Sequence, residues 1–221
     1  MNNIFKQCTA EFIGTFIMVF AGTAAIIVND LHGGVISHVG IAMVFGLVVS
    51  SVIYTFGDIS GAHINPAVTL AFWLAKRFPG SQVLPYILSQ LGGALTASLV
   101  LVVLFIDHDT YGATLPSGSV SQSFMMELLL TFILMLTIIN VATGAKEKGI
   151  IAGIAIGSVV ALEALFAGPV SGASMNPARS FGPALVSGNL GDLWLYIVAP
   201  ILGAALAIGC CRCTRDRSCC Q

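Results

Sequence analysis

Ser60-Gly61-Ala62-His63-Ile64-Asn65-Pro66-Ala67 is matched later in the chain by Ser171-Gly172-Ala173-Ser174-Met175-Asn176-Pro177-Ala178. Asn-Pro-Ala reads as a helix start: Asn is a favoured N-cap, Pro at the first helical position lacks an N–H that would be orphaned anyway, and Ala propagates well. Each copy opens an apolar segment of about 10 to 12 residues, starting at Asn65 and at Asn176. At 1.5 Å per residue, such a segment reaches only about halfway across a bilayer's hydrocarbon. The reading is therefore of two re-entrant half-helices.

Around these copies lie six longer apolar runs: about Cys8 to Val28, Ser37 to Phe56, Pro85 to Ile106, Ser123 to Val141, Gly149 to Ala167 and Leu193 to Cys211. Each has roughly the 20 residues that span a bilayer core. The composition agrees, since 57% of the 221 residues are hydrophobic and 9% are charged. A soluble domain has about a quarter of its residues charged. The N-terminal stretch Met1 to Gly14 leads into a full-length run with no small-residue cleavage pattern, so the first span is expected to be retained. Net charge is −1, with no basic tract to hold nucleic acid.

Three runs lie in each half. Glu11, Thr15, Phe16 and Ile17 of the first half recur as Glu127, Thr131, Phe132 and Ile133 of the second. An odd number of spans per repeat turns the second copy upside down, so the half-helices enter from opposite faces and meet near the midplane. The expected fold is an all-α membrane protein of six transmembrane helices and two re-entrant half-helices in an inverted repeat. Residues 1–209 form one domain of two repeats, about 1–115 and 116–209, followed by a cysteine-rich tail, 210–221.

Orientation follows from the basic residues. With the N-terminus inside, Lys6, Lys76, Arg77, Lys146, Lys148, Arg212, Arg215 and Arg217 fall on the cytoplasmic side, whereas the outward loops Asn29 to Ile36 and Asp107 to Gln122 carry no Lys or Arg. Both termini are then cytoplasmic. Arg179, three residues after Asn176, is the remaining basic residue and shares a face of the half-helix with it. An arginine at membrane depth is costly and by default functional. Its counterpart in the first half is Val68.

Two half-helix N-termini at the membrane centre each present about half a positive charge, which disfavours cations and excess protons. A neutral molecule with oxygen lone pairs can accept hydrogen bonds there from the Asn65 and Asn176 amides in place of the water it sheds. The selected class is uncharged polar solutes.

The doubled Ser-Gly-Ala-x-x-Asn-Pro-Ala, Arg179 after the second copy and the six-plus-two hydropathy pattern resemble the major intrinsic protein family, the aquaporins and aquaglyceroporins. The resemblance covers the chain apart from the tail. The stretch Phe166 to Ser180 is similar to the nodulin-like intrinsic proteins of plants and their bacterial relatives. It implies a homotetramer with one pore per subunit, in a lipid bilayer such as the plasma membrane. It also implies a constriction formed by Phe45, Ala164, Ala173 and Arg179. Strict water channels usually have histidine where this chain has Ala164, so a wider filter suited to glycerol is expected, with water passing too. Ser180 and Ala184 follow the water-channel pattern instead, and Tyr196 with Ile197 looks more nodulin-like. A strict water channel, or a channel for urea, ammonia or the neutral hydroxides of boron, silicon or arsenic, stays open as an alternative.

The resemblance also gives Glu11 and Glu127 a structural role, accepting hydrogen bonds from backbone donors of the re-entrant loops. Glu163, before Ala164, is read either as a protonated or hydrogen-bonded structural acid or as a pH-sensitive contact. His63 is expected to line the cytoplasmic vestibule. His32, His38 and His108 have no ligand spacing, so no metal and no cofactor are expected. Asp58, Asp107 and Asp109 read as solvated loop residues. Gly149, Gly153 and Gly157, like Ala42 and Gly46, form small-x-x-x-small rows for close helix packing. The tail's Cys210, Cys211, Cys213, Cys219 and Cys220 allow S-acylation, adventitious metal binding or no role at all.

Rival classes fit less well. A secondary transporter needs coupling-ion ligands at its helix breaks, and these breaks offer Asn, Ser and backbone instead of a carboxylate. A junction protein on the same fold would not need an open filter. An enzyme would need a Ser/His/Asp, Cys/His or metal set, and none converges on the motif.

Overall fold

The computed structural model describes residues 4–106, 108–142 and 146–214. Eight helices follow in order: α1 Ile4–Leu31, α2 Ser37–Ser60, α3 Pro66–Leu74, α4 Gly80–Leu104, α5 Val120–Val141, α6 Lys146–Ser171, α7 Pro177–Ser187 and α8 Leu193–Thr214. All but α3 and α7 are long and apolar enough to cross a membrane. Their outward faces carry side chains such as Val103 and Leu88, 75% and 60% exposed, an apolar surface suited to lipid. The protein is a six-span integral membrane protein with an all-α inverted-repeat fold.

The spans are longer than the apolar runs foretold. α1 starts four residues before Cys8 and continues to Leu31, and α4 starts at Gly80, ahead of Pro85. α6 continues over Pro169 to Ser171, and α8 runs through Cys210, Cys211 and Cys213 to Thr214. The helix thus continues past residue 210, and Cys211 is buried in its last turn. Polar first and last turns escape a hydropathy reading because the helix outruns its apolar core. Asp107, the Lys146 and Lys148 side chains, Gly149's packing, Arg215, Arg217, Cys219 and Cys220 lie outside what is described.

α3 has 9 residues and α7 has 11, so each reaches about half the hydrocarbon thickness. Asn65 caps α3 by accepting from Ala67 N at 2.9 Å, and Asn176 caps α7 by accepting from Ala178 N at 3.0 Å. α3 is anchored at its far end by α8, where Arg212 Nη2 donates to Leu74 O at 2.8 Å.

Three close helix crossings relate the two halves. A Cβ on Gly93 of α4 would fall 2.2 Å from Phe12 O of α1, and one on Gly203 of α8 would fall 2.2 Å from Leu128 O of α5. On the pseudo-twofold axis itself, Gly46 of α2 faces Gly157 O while Gly157 of α6 faces Gly46 O. Backbone touches backbone at each, so Gly46 and Gly157 pack closely as expected, with Gly153 making room for Tyr54.

Candidate functional site

The re-entrant loops are held in place by buried acids. Glu11 Oε1 accepts from Ser60 Oγ at 2.7 Å and from His63 N at 2.9 Å, and its Oε2 accepts from Ile64 N at 2.7 Å and Gln90 Nε2 at 2.8 Å. Glu127 Oε1 accepts from Ser171 Oγ at 2.7 Å and Ser174 N at 2.8 Å, and its Oε2 from Met175 N at 2.7 Å. Both acids are fully buried, and bonds to a charged acceptor contribute about 1.5–3 kcal/mol each. That stabilisation offsets a strained backbone: Ala62, Ile64, Ala173 and Met175 all have left-handed φ, from 43° to 55°. The tyrosines Tyr86 and Tyr196 complete the frame, donating to Ser60 O at 2.9 Å and Ser171 O at 2.7 Å.

With the loops fixed, their strained residues present carbonyls across the molecule. Asn65 Nδ2 donates to Met175 O and Asn176 Nδ2 donates to Ile64 O, both at 2.8 Å. Each loop is thus tied to the other's asparagine, and the N-termini of α3 and α7 face one another at the centre. An amide has two N–H donors, so each asparagine keeps one beyond this tie; that of Asn176 points toward Met18 Sδ at 3.8 Å.

A cavity of about 650 Å³ runs past this junction. It is lined at every fourth residue by Phe45, Val49 and Ile53 of α2 and by Ile156, Val160 and Ala164 of α6, with Asn65, Asn176, Ala173 and Arg179 between them. Phe45 occupies the space that Gly22 leaves, since a Cβ there would fall 2.2 Å from the ring. Arg179 Cζ lies 5.0 Å from the Phe45 ring centroid, a cation–π distance, and its Nη1 donates to Gly112 O at 2.7 Å. The four residues that the resemblance grouped at one constriction therefore line one cavity. His63 also lines it, stacked on Phe72 at 4.8 Å, with Nδ1 3.1 Å from Thr69 Oγ1.

Other expectations are placed differently. Tyr196 is buried behind the Ser171 loop, and Ser180 bonds Thr114 Oγ1 at 2.7 Å, so neither lines the cavity. Asp58, expected in a solvated loop, is on α2 and lines the cavity. Glu163 is 1% exposed, and neither of its oxygens has a partner among the described residues. His38 bridges α2 and α6 through Leu165 O at 2.7 Å, and His108 lies 3.5 Å from Asp30. Among the described residues, no group of three or more His, Cys, Asp or Glu has the arrangement to hold a metal ion. Two features escaped sequence reasoning. The Gly112 carbonyl lies in a loop without a motif, whereas the tyrosine pair was findable, each member following its repeat's serine by about the same interval.

The family profile described as Major intrinsic protein matches residues 1–209. The chain belongs to the major intrinsic protein family. Among similar family members, Nodulin-26 of Glycine max is 47% identical over 200 residues, covering 90% of this chain and 74% of that protein. Aquaporin NIP3-1 of Arabidopsis thaliana is 50% identical over 207 residues, covering 90% of this chain but 64% of its own length, so the chain spans less than two thirds of that relative. The X-ray structure of the aquaglyceroporin from Plasmodium falciparum has the same fold, with a TM-score of 0.83 at 23% identity over 93% of this chain and 94% of that one.

Proposed function

We propose that this major intrinsic protein is a passive channel for water and small uncharged solutes such as glycerol, and that it excludes ions and protons. The observation that carries the proposal is the continuous cavity, which passes both half-helix N-termini and the set Phe45, Ala164, Ala173 and Arg179. Phe45 and the two alanines supply apolar surface to the same cavity that receives the Arg179 side chain. That pairing suits a molecule with one carbon edge and one hydroxylated edge, and the methyl of Ala164 leaves it room. The paired helix N-termini and the arginine together make a positive barrier at membrane depth. Asn65, Pro66 and Ala67 with Asn176, Pro177 and Ala178 act as the central junction, and His63 lines the vestibule.

Urea and neutral metalloid hydroxides have the same charge and size class, and Nodulin-26 is among the proteins similar to this chain. Ser180 and Ala184, the residues that pointed toward a strict water channel, do not line the cavity. The protein is assigned to the cell membrane as a homotetramer with both termini cytoplasmic, resting on the family resemblance and the one-sided Lys and Arg distribution. Proteoliposome flux tests the channel class: uptake should follow the solute gradient alone. Uptake that stops when ion gradients are collapsed would show a coupled transporter instead.

A further inference from the structure

The two loop-holding acids are not equally satisfied. Glu11 takes four donors, two on each oxygen, the fourth being Gln90 Nε2 from α4. Among the described residues Glu127 takes three, and its Oε2 receives Met175 N without a second donor. The twofold relation explains the gap. Tyr86 and Tyr196 are equivalent by their bonds to the loop serines, and Gly93 and Gly203 by their crossings, so Gln90 corresponds to Pro200, which has no donor.

The second half carries a polar group where the first has none. With Gly46 and Gly157 on the axis and Ser60 equivalent to Ser171, Glu163 corresponds to Val52. Val52 packs beside Ile64, the residue that donates to Glu11 Oε2, because a Cβ on Gly14 would touch both side chains at 2.9 Å. Carried over to the second half, the same symmetry would set Glu163, which is 1% exposed with neither oxygen partnered among the described residues, beside Met175, the residue that donates to Glu127 Oε2. Other ionisable groups of this region are already engaged: Arg179 on Gly112 O, and Tyr196 on Ser171 O. An ionised Glu163 without a partner would be costly inside a span, whereas a neutral carboxyl has one O–H to give.

We propose that Glu163 is a positioning residue for the second re-entrant loop: as a neutral acid it donates its proton's hydrogen bond to Glu127 Oε2, directly or through one trapped water, supplying the donor that Pro200 cannot. The bond steadies Met175, whose carbonyl receives Asn65, and with it the start of α7 that carries Arg179. Gln at 163 retains a donor of similar reach. Val, the first half's residue, does not.

The test combines infrared spectroscopy of the full chain with water flux per folded protein in proteoliposomes. Wild type is expected to show the C=O stretch of a neutral carboxylic acid that E163Q lacks. E163V is expected to lose water flux severalfold and to melt lower, while E163Q stays close to wild type in both. Adding P200Q to E163V should recover most of the loss by restoring the amide of the first half. No band difference between wild type and E163Q would overturn the proposal, as would E163Q failing like E163V. P200Q leaving the E163V loss intact would overturn the assignment of Glu127 as acceptor. The flux arm rests on the channel reading: a wild type without water flux would refute that reading, while the infrared and melting arms would still judge Glu163.

Discussion

The halves of the molecule share a scaffold and differ in what they show to the cavity. Glu11 and Glu127, Tyr86 and Tyr196, Gly93 and Gly203, and the two asparagine ties occupy matched places and make matched bonds. Under the same relation, Phe45, Ala164, Ala173 and Arg179 become Ile156, Ile53, Ala62 and Val68, which all line the cavity as well. One end of the pore thus has a cation facing an aromatic ring, and the other has four aliphatic side chains. The repeated residues make the bonds that hold the loops. In the proposed channel, selectivity would fall to the residues that broke the repeat.

The largest effects should come from the scaffold. E11L and E127L orphan four and three buried donors, at about 1–3 kcal/mol each, which is comparable with the whole net stability of a protein. Neither should give monodisperse protein on size exclusion in detergent. Recovery of E127L at wild-type yield would show that the halves are not held alike.

Next come the crossings: G93A and G203A each press a methyl on a backbone oxygen, at an expected cost of about 1–3 kcal/mol. Thermal melting should drop equally for both, and a large difference between them would break the symmetry. R179V gives the second half the residue of the first. Fold and water flux should persist while proton leak rises, read with a pH-sensitive dye inside liposomes; unchanged proton exclusion would move the barrier entirely to the half-helix termini. The smallest effect is expected for Y86F and Y196F, about 1 kcal/mol each for one lost hydrogen bond.

Most of the fold was legible because lipid imposes a simple rule. Spans must be apolar for about 20 residues, and the doubled motif with an odd span count fixed the inversion. The ends of the spans were not legible, since Pro85, Pro169 and the cysteines of α8 lie in turns whose helicity rests on packing instead of hydropathy. At the site, Asn65, Asn176 and Arg179 announced themselves by context. The partners that fix them did not: Gly112 acts through a carbonyl, which every residue has, and the burial of Ser180 and Tyr196 away from the cavity depends on rotation about a helix axis that motif matching ignores. Glu163 stood out as an acid in a span, yet its inequivalence to Val52 acquires meaning only once the twofold axis is located.

The proposed channel has a solute-wide constriction at the charged end of the pore, set by Ala164. Stopped-flow light scattering on proteoliposomes tests it, comparing shrinkage in an impermeant osmolyte with re-swelling in glycerol for wild type and A164H. Rapid glycerol re-swelling in wild type that the histidine abolishes while water flux survives is the predicted result. Fast water flux without glycerol uptake in wild type would contradict the claim and leave a water channel whose selectivity lies elsewhere.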